Sequence, residues 1–123
     1  MKISNAESVV MEALWDRSPL AAEDIVAAVA EPQGWTEATV KTLINRLLTK
    51  GAVAADKDGR RYLYRPMIAR DAYVTAESEG LLSRLFDGRL APLVSHFSEH
   101  QKLTSQDSAE LKALIERLDD DGR

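Results

Sequence analysis

The sequence predicts a mainly α-helical protein that carries one small β-hairpin, and three observations lead to this expectation. Apolar residues recur with the helical period through most of the chain. Near the middle the period changes to two, on either side of the hairpin signal Asp58-Gly59. The length of 123 residues suits one small domain with a further helical segment.

Three short helices are expected in the first 51 residues. Ser4 and Glu7 have the spacing of a capping box, which starts the first helix at about Asn5, and it should end near Asp16. The second helix should carry its apolar stripe and then end at Pro32-Gln33-Gly34. Its stripe consists of Ala22, Ile25, Val26 and Val29. Thr36 is a suitable cap for a third helix, which should end at Lys50-Gly51. The buried stripe of that helix is predicted to be Val40, Leu43, Ile44 and Leu47.

Two strands are expected next, over residues 53–56 and 61–65. Three helices followed by a hairpin is the element order of a winged helix-turn-helix domain. We therefore predict such a domain over residues 1–68, with the hairpin as its wing.

Three more helices are predicted after Pro66, over residues 69–86, 90–100 and 105–118. They are too few and too short to enclose a large core, so we expect residues 69–123 to form a helical dimerisation domain completed by a second copy. The residues expected at that interface are Leu82, Leu85, Phe86, Leu90, Leu93, Val94, Phe97, Leu111, Leu114, Ile115 and Leu118.

The charge of the chain is unevenly distributed. The whole chain carries a net charge of −4, yet residues 36–65 hold seven basic against three acidic residues and a net charge of +4. A ligand at this segment would experience mainly the local positive charge, because at physiological salt the Debye length is about 8 Å and charges further away are largely screened. This favours a polyanionic partner such as double-stranded DNA.

The third helix is the candidate reading element. With its apolar stripe inward, Thr39, Thr42, Asn45 and Arg46 point outward, and these side chains suit base edges in a major groove. Lys41 and Lys50 are predicted to hold phosphates, as are Lys57, Arg60 and Arg61 at the wing tip. Thr36 completes the predicted DNA-binding set. The alternative is a winged-helix module that binds an acidic protein without specific DNA binding.

Several other function classes find no support. Zero cysteines exclude a disulfide scaffold, a thiolate metal site and a cysteine nucleophile. His96, Glu99 and His100 have the H-x-x-E-H spacing of a zinc protease helix, but no third ligand or substrate cleft is evident, so we expect no metal, no cofactor and no enzyme. The chain lacks a leader-like start or a long apolar run, which predicts a cytoplasmic protein without direct membrane binding.

Several blocks of the sequence resemble the penicillinase-repressor family. The most specific is Trp35-Thr36-x-x-Thr39-Val40-Lys41-Thr42-Leu43. The opening Ile3-Ser4-x-Ala6-Glu7 and the wing Arg61-Tyr62-x-Tyr64-x-Pro66 are similar to the family as well. Leu93-Val94-x-x-Phe97 and Leu103-Thr104-x-x-Asp107 match its C-terminal helices.

The resemblance implies a homodimeric repressor of β-lactam resistance or stress genes that binds a palindromic operator. It also implies release by proteolysis, set off indirectly by a membrane-bound sensor metalloprotease. The family is cut at an Asn-Phe bond, and the matching pair here is His96-Phe97, which keeps the phenylalanine and replaces the asparagine.

Overall fold

The structure, a computed structural model, describes residues 1–120 as six helices and three strands. In chain order these are α1 (Asn5–Asp16), β1 (Leu20–Ala21), α2 (Ala22–Gln33), α3 (Glu37–Lys50), β2 (Val53–Asp58), β3 (Arg61–Pro66), α4 (Arg70–Phe86), α5 (Leu90–Glu99) and α6 (Ser105–Asp120). The predicted mainly α-helical fold with a small β wing is confirmed. Residues 121–123 of the predicted dimerisation domain lie outside the described residues.

Local hydrogen bonds explain where the first helices begin and end. At α1 the Ser4 amide donates to Glu7 Oε1 at 2.8 Å, and the Glu7 amide donates to Ser4 Oγ at 3.1 Å, which completes the predicted capping box. The predicted end of α2 at Pro32-Gln33-Gly34 is confirmed, because the helix runs to Gln33 and Gly34 is its C-cap. Gly34 then turns left-handed with φ of 71°, and the Trp35 amide donates to the Ala30 carbonyl at 2.8 Å, so this last turn holds without the proline N–H.

The sheet is larger than the sequence predicted. It has three antiparallel strands in the order β1-β3-β2, and β1 was not expected. Leu20 pairs with Tyr64 and Ala21 with Leu63, so β1 forms through pairing with a strand distant in sequence rather than through a pattern of its own. The hairpin also reaches further than expected, since Asp58 pairs with Arg61 across a two-residue turn that begins with Gly59. Gly59 has a φ of 65°, which glycine adopts without strain.

The apolar core lies between the three N-terminal helices and the base of the sheet. It contains the four predicted α3 stripe residues, together with Ile3, Val10, Met11, Leu14, Leu20, Ile25, Val29, Ala52 and Val53. The start of α4 is attached to this core: Trp15 Nε1 donates to the Ile68 carbonyl at 2.9 Å, and the Trp15 and Tyr73 rings lie 5.4 Å apart. The first compact unit comprises Met1–Thr75, so it includes the start of α4, Arg70–Thr75.

The second unit begins at Ala76 and has no comparable core of its own. None of the described residues of α4, α5 or α6 is buried. Its exposed large apolar side chains are Leu81, Leu85, Leu90, Phe97, Leu114, Ile115 and Leu118. Within residues 1–120 no helix combines the length and apolar character needed to cross a bilayer.

Candidate nucleic-acid interface

Helix α3 has two chemically distinct sides. Val40, Leu43, Ile44 and Leu47 are buried against α1 and α2, as the 3.6-residue period predicts. The opposite side, which we call the α3 outer face, is exposed and carries Thr39, Thr42, Asn45, Arg46 and Thr49. Apolar burial of one side therefore fixes which polar side chains the helix presents to a ligand.

The α3 outer face contains a shallow depression lined by Thr42, Asn45, Arg46, Thr49 and Lys50. The Thr42 hydroxyl donates to the Ala38 carbonyl at 3.0 Å, so its proton is used inside the helix while its methyl group remains available for apolar contact. Within residues 1–120 the structure shows no side-chain hydrogen bond or ion pair for Asn45 or Arg46. Both can therefore offer their full bonding capacity to a ligand.

The N-terminal turn of α3 is held by its threonines. Thr36 Oγ1 accepts a hydrogen bond from the Thr39 amide at 3.2 Å, and the two hydroxyl oxygens lie 3.1 Å apart. Thr36 is thus the N-cap of the helix, in addition to its predicted place in the DNA-binding set. Lys41 lies 3.4 Å from Glu37, one turn earlier, and an exposed pair of this kind contributes little to stability.

Lys50, at the C-terminal end of α3, has partners that the sequence did not suggest. Its ammonium donates to Glu7 Oε1 of α1 and, at 2.8 Å, to the Lys2 carbonyl. The Glu7 side chain is only 2% exposed, so Lys50 neutralises a buried carboxylate. The bond joins α3 to α1, which sequence reasoning missed because the two residues lie far apart in the chain.

The Glu7 carboxylate is stabilised in its charged form. Burial raises the pKa of this carboxyl, but the Lys50 hydrogen bond, the Ser4 amide and the Lys50 charge together outweigh burial and lower the pKa below its ordinary value. A lowered pKa means that the folded state favours the ionised carboxylate.

The wing places the three predicted basic residues at its tip. Lys57 and Arg61 lie on opposite strands, and Arg60 occupies the turn. Arg61 lies 3.5 Å from Asp58 and also 3.5 Å from Glu23 at the start of α2. Within the described residues, no acidic partner is present for Lys57 or Arg60.

The predicted dimerisation and cleavage residues lie on the three C-terminal helices. Leu82, Phe86, Leu93, Val94 and Leu111 are partly buried, and the other predicted interface residues are exposed. His96 and Phe97 lie in α5, with Phe97 exposed.

The two histidines of the H-x-x-E-H segment lie side by side. The His96 and His100 rings are 4.4 Å apart, and His100 Nδ1 lies 2.9 Å from the His96 carbonyl. Among residues 1–120 no three histidine, aspartate or glutamate side chains are grouped so that they could hold a metal ion.

Comparison with known proteins identifies the family. A family model described as "Penicillinase repressor" matches residues 3–117. The chain belongs to the penicillinase repressor family. It is 30% identical to the penicillinase repressor of Bacillus licheniformis, over 94% of this chain and 90% of that protein. It is 26% identical to the methicillin resistance regulatory protein MecI of Staphylococcus aureus strain N315, over 94% of each chain.

Solved structures agree with this placement. The solution structure of the DNA-binding domain of the repressor BlaI matches with a TM-score of 0.54 and 32% identity, over 58% of this chain and 88% of that one. The Bacillus licheniformis BlaI monomer in complex with the blaP half-operator matches equally well, over 59% of this chain and 89% of that one. The family resemblance drawn from the sequence is confirmed: this member of the penicillinase repressor family is a winged-helix transcriptional repressor and not an enzyme.

Proposed function

We propose that this penicillinase repressor family member binds a palindromic double-stranded operator as a homodimer, with the α3 outer face in the major groove. The observation that carries the proposal is the depression lined by Thr42, Asn45 and Arg46, exposed on a helix whose opposite side is buried in the core. BlaI, whose DNA-binding domain resembles the first unit of this chain, has been solved with a half-operator.

Each side chain has a distinct role in this proposal. Thr39, Thr42, Asn45 and Arg46 read base edges, and the arginine suits bidentate bonding to guanine. Lys41, Lys57 and Arg60 contact phosphates and set the register on the duplex. We leave out Lys50, because it pairs with the buried Glu7, and Arg61, because it lies beside two carboxylates, Asp58 and Glu23. Lys41 stays in the set, because its one carboxylate neighbour, Glu37, forms an exposed and weak pair with it.

Dimerisation is assigned to the second unit. Its helices bury none of their described residues and expose leucines, isoleucine and phenylalanine at helical spacing. A second copy of the same unit would cover these side chains. In a dimer, once one winged-helix domain has bound its half-site, the second is held close to the other half-site. Its high effective concentration there raises the affinity for the whole operator.

Family membership supports a proposal for the regulated genes and for the release mechanism. The curated relatives include a penicillinase repressor and a methicillin resistance regulator. We propose that this chain controls β-lactam resistance or stress genes in the cytoplasm. Cleavage at His96-Phe97 would end repression, with a membrane-bound sensor metalloprotease acting indirectly.

Footprinting on the DNA upstream of the chain's own gene would identify the operator, and two variants then test how it is read. We expect Arg46→Ala to weaken operator binding by about 1–3 kcal/mol if it makes a good base contact, and to change binding to random duplex less. Lys112→Ala on α6 is the matched control, since it removes one positive charge outside the winged domain. Equal losses on both DNAs would reduce Arg46 to a phosphate contact, and no salt-dependent DNA binding at all would favour the protein-interaction alternative.

A further inference from the structure

The two faces of the β2–β3 hairpin carry different chemistry. Side chains alternate along each strand, and the register pairs Lys57 with Tyr62 and Asp58 with Arg61. One face, which we call the α3-side face, consists of Val53, Ala55, Lys57, Tyr62 and Tyr64. The other, which we call the far face, consists of Ala54, Asp56, Asp58, Arg61, Leu63 and Arg65.

The α3-side face lies on the same side of the domain as the proposed reading surface. Val53 is buried, and Tyr64 packs against the core. Tyr64 lines a small depression together with Lys41 and Asn45 of α3. Tyr62 lies two residues nearer the tip on the same face, about 7 Å further along the strand, so it extends this surface beyond the core.

The far face is neutralised by its own carboxylates. Arg65 Nε lies 2.7 Å from Asp56 Oδ2, and Arg61 lies 3.5 Å from both Asp58 and Glu23. The positive charges of two arginines are therefore balanced by the negative charges of two aspartates on this face. Glu23 belongs to α2, so the Arg61 contact also connects the hairpin to the helical part of the domain.

Lys57 and Tyr62 have no such partners. Within residues 1–120 the structure shows neither a hydrogen bond nor an ion pair for either side chain. Tyr62 is 50% exposed, although its ring is large and apolar. A tyrosine hydroxyl can donate to a phosphate oxygen, and a lysine ammonium supplies a compact positive charge beside it.

From this we infer that Lys57 and Tyr62 form the phosphate-binding side of the wing, and that Arg61 positions the hairpin against α2 instead of contacting DNA. The inference rests on the proposed function, since it assumes that the α3 outer face binds a duplex. It assigns Tyr62 a binding role that a count of basic and acidic residues does not indicate, because tyrosine is neutral.

The test uses the full chain and a random-sequence duplex labelled for fluorescence anisotropy, titrated between about 50 and 200 mM NaCl. Lys57→Ala should make the negative slope of log K against log[salt] less steep by about 0.9 for each DNA-binding domain bound. Tyr62→Phe should weaken binding about tenfold or more with the slope unchanged, because it removes one hydrogen bond to a charged phosphate oxygen without removing a charge from the protein. Arg61→Ala should leave the slope unchanged, and so should Arg65→Ala, the matched control on the same strand and face.

Other results would overturn the inference. Equal slopes for Lys57→Ala and wild type would remove Lys57 from the phosphate contacts. A slope that becomes less steep with Arg61→Ala and not with Arg65→Ala would place the DNA on the far face. A Tyr62→Phe variant that binds like the wild type would remove the tyrosine from the contact. In these cases duplex binding by the wild type would leave the proposed function intact, whereas absence of any duplex binding would contradict the proposed function itself. Thermal melting by circular dichroism confirms that each variant is folded.

Discussion

At the scale of single residues, Glu7 has two roles. Among the described residues, Glu7 is the one polar or charged residue that is buried. Its carboxylate completes the α1 capping box and also accepts a hydrogen bond from Lys50. A buried charge is tolerated when its partner and hydrogen bonds are present, and removing the partner leaves it uncompensated. The pair therefore fixes the end of α3 more strongly than an exposed ion pair would.

Lys50→Met should reduce the free energy of unfolding of the first unit by about 2–3 kcal/mol, near the low end for buried pairs because the Lys50 side chain is 35% exposed. Urea unfolding followed by tryptophan fluorescence measures this, since Trp15 and Trp35 both lie in that unit. The control is Lys41→Met, which removes a lysine from an exposed pair on the same helix and should cost no more than about 0.5 kcal/mol. Similar losses for the two variants would contradict the special role of Glu7.

The same pair predicts a pH dependence. The folded-state pKa of Glu7 is lowered, so its contribution is complete above the unfolded pKa of about 4.3 and is lost as the pH falls through the folded pKa. The stability advantage of wild type over Glu7→Gln should therefore shrink between neutral pH and acid. If the stability advantage of wild type over Glu7→Gln instead grows on acidification, burial rather than Lys50 has the larger effect on the pKa of Glu7.

At the scale of elements, most helix ends and the β2–β3 hairpin could be predicted, and β1 could not. Ser4, Thr36 and Gly51 act on amides and carbonyls within a few residues, so their effects can be read locally. β1 has two residues and depends on Tyr64 and Leu63, which no local pattern indicates. The α3 outer face could be predicted from the helical period, but the Lys50–Glu7 pair and the contacts of Arg61 depend on tertiary packing.

The start of α3 offers a test at this scale. Thr36→Ala removes the side-chain acceptor of the Thr39 amide and should lower the free energy of unfolding by about 1 kcal/mol, whereas Thr36→Ser keeps the acceptor. Urea unfolding of the two variants gives the comparison. If serine and alanine destabilise equally, the threonine methyl group and not the cap hydroxyl stabilises this turn.

At the scale of the whole molecule, the distribution of buried residues differs between the two units. The first unit encloses its own core, and the second exposes apolar side chains that a second copy would cover. Leu114→Asp would place an unpaired carboxylate in the proposed interface, so we expect a monomer in sedimentation whose winged domain remains folded and whose operator affinity falls strongly. Ala113→Asp is the control, since 100° steps place Ala113 on the side of α6 opposite to the stripe formed by Leu111, Leu114, Ile115 and Leu118. A Leu114→Asp variant that stays dimeric would place the interface elsewhere.

Cleavage between His96 and Phe97 would act through the same linkage without changing the DNA surface. The bond lies near the end of α5, where the His96 carbonyl accepts from the His100 amide at 3.2 Å, and helix ends open more readily than helix centres. The 1–96 fragment would keep the winged domain and lose α6, so two linked half-site contacts would become two independent weak ones. We expect cells exposed to a β-lactam to accumulate this fragment as target transcription rises. We also expect His96→Asn, which creates the Asn-Phe pair that the family resemblance implies as the cleaved bond, to be cut at least as fast. Full derepression with the 13.6 kDa chain still intact by mass spectrometry would contradict release by proteolysis.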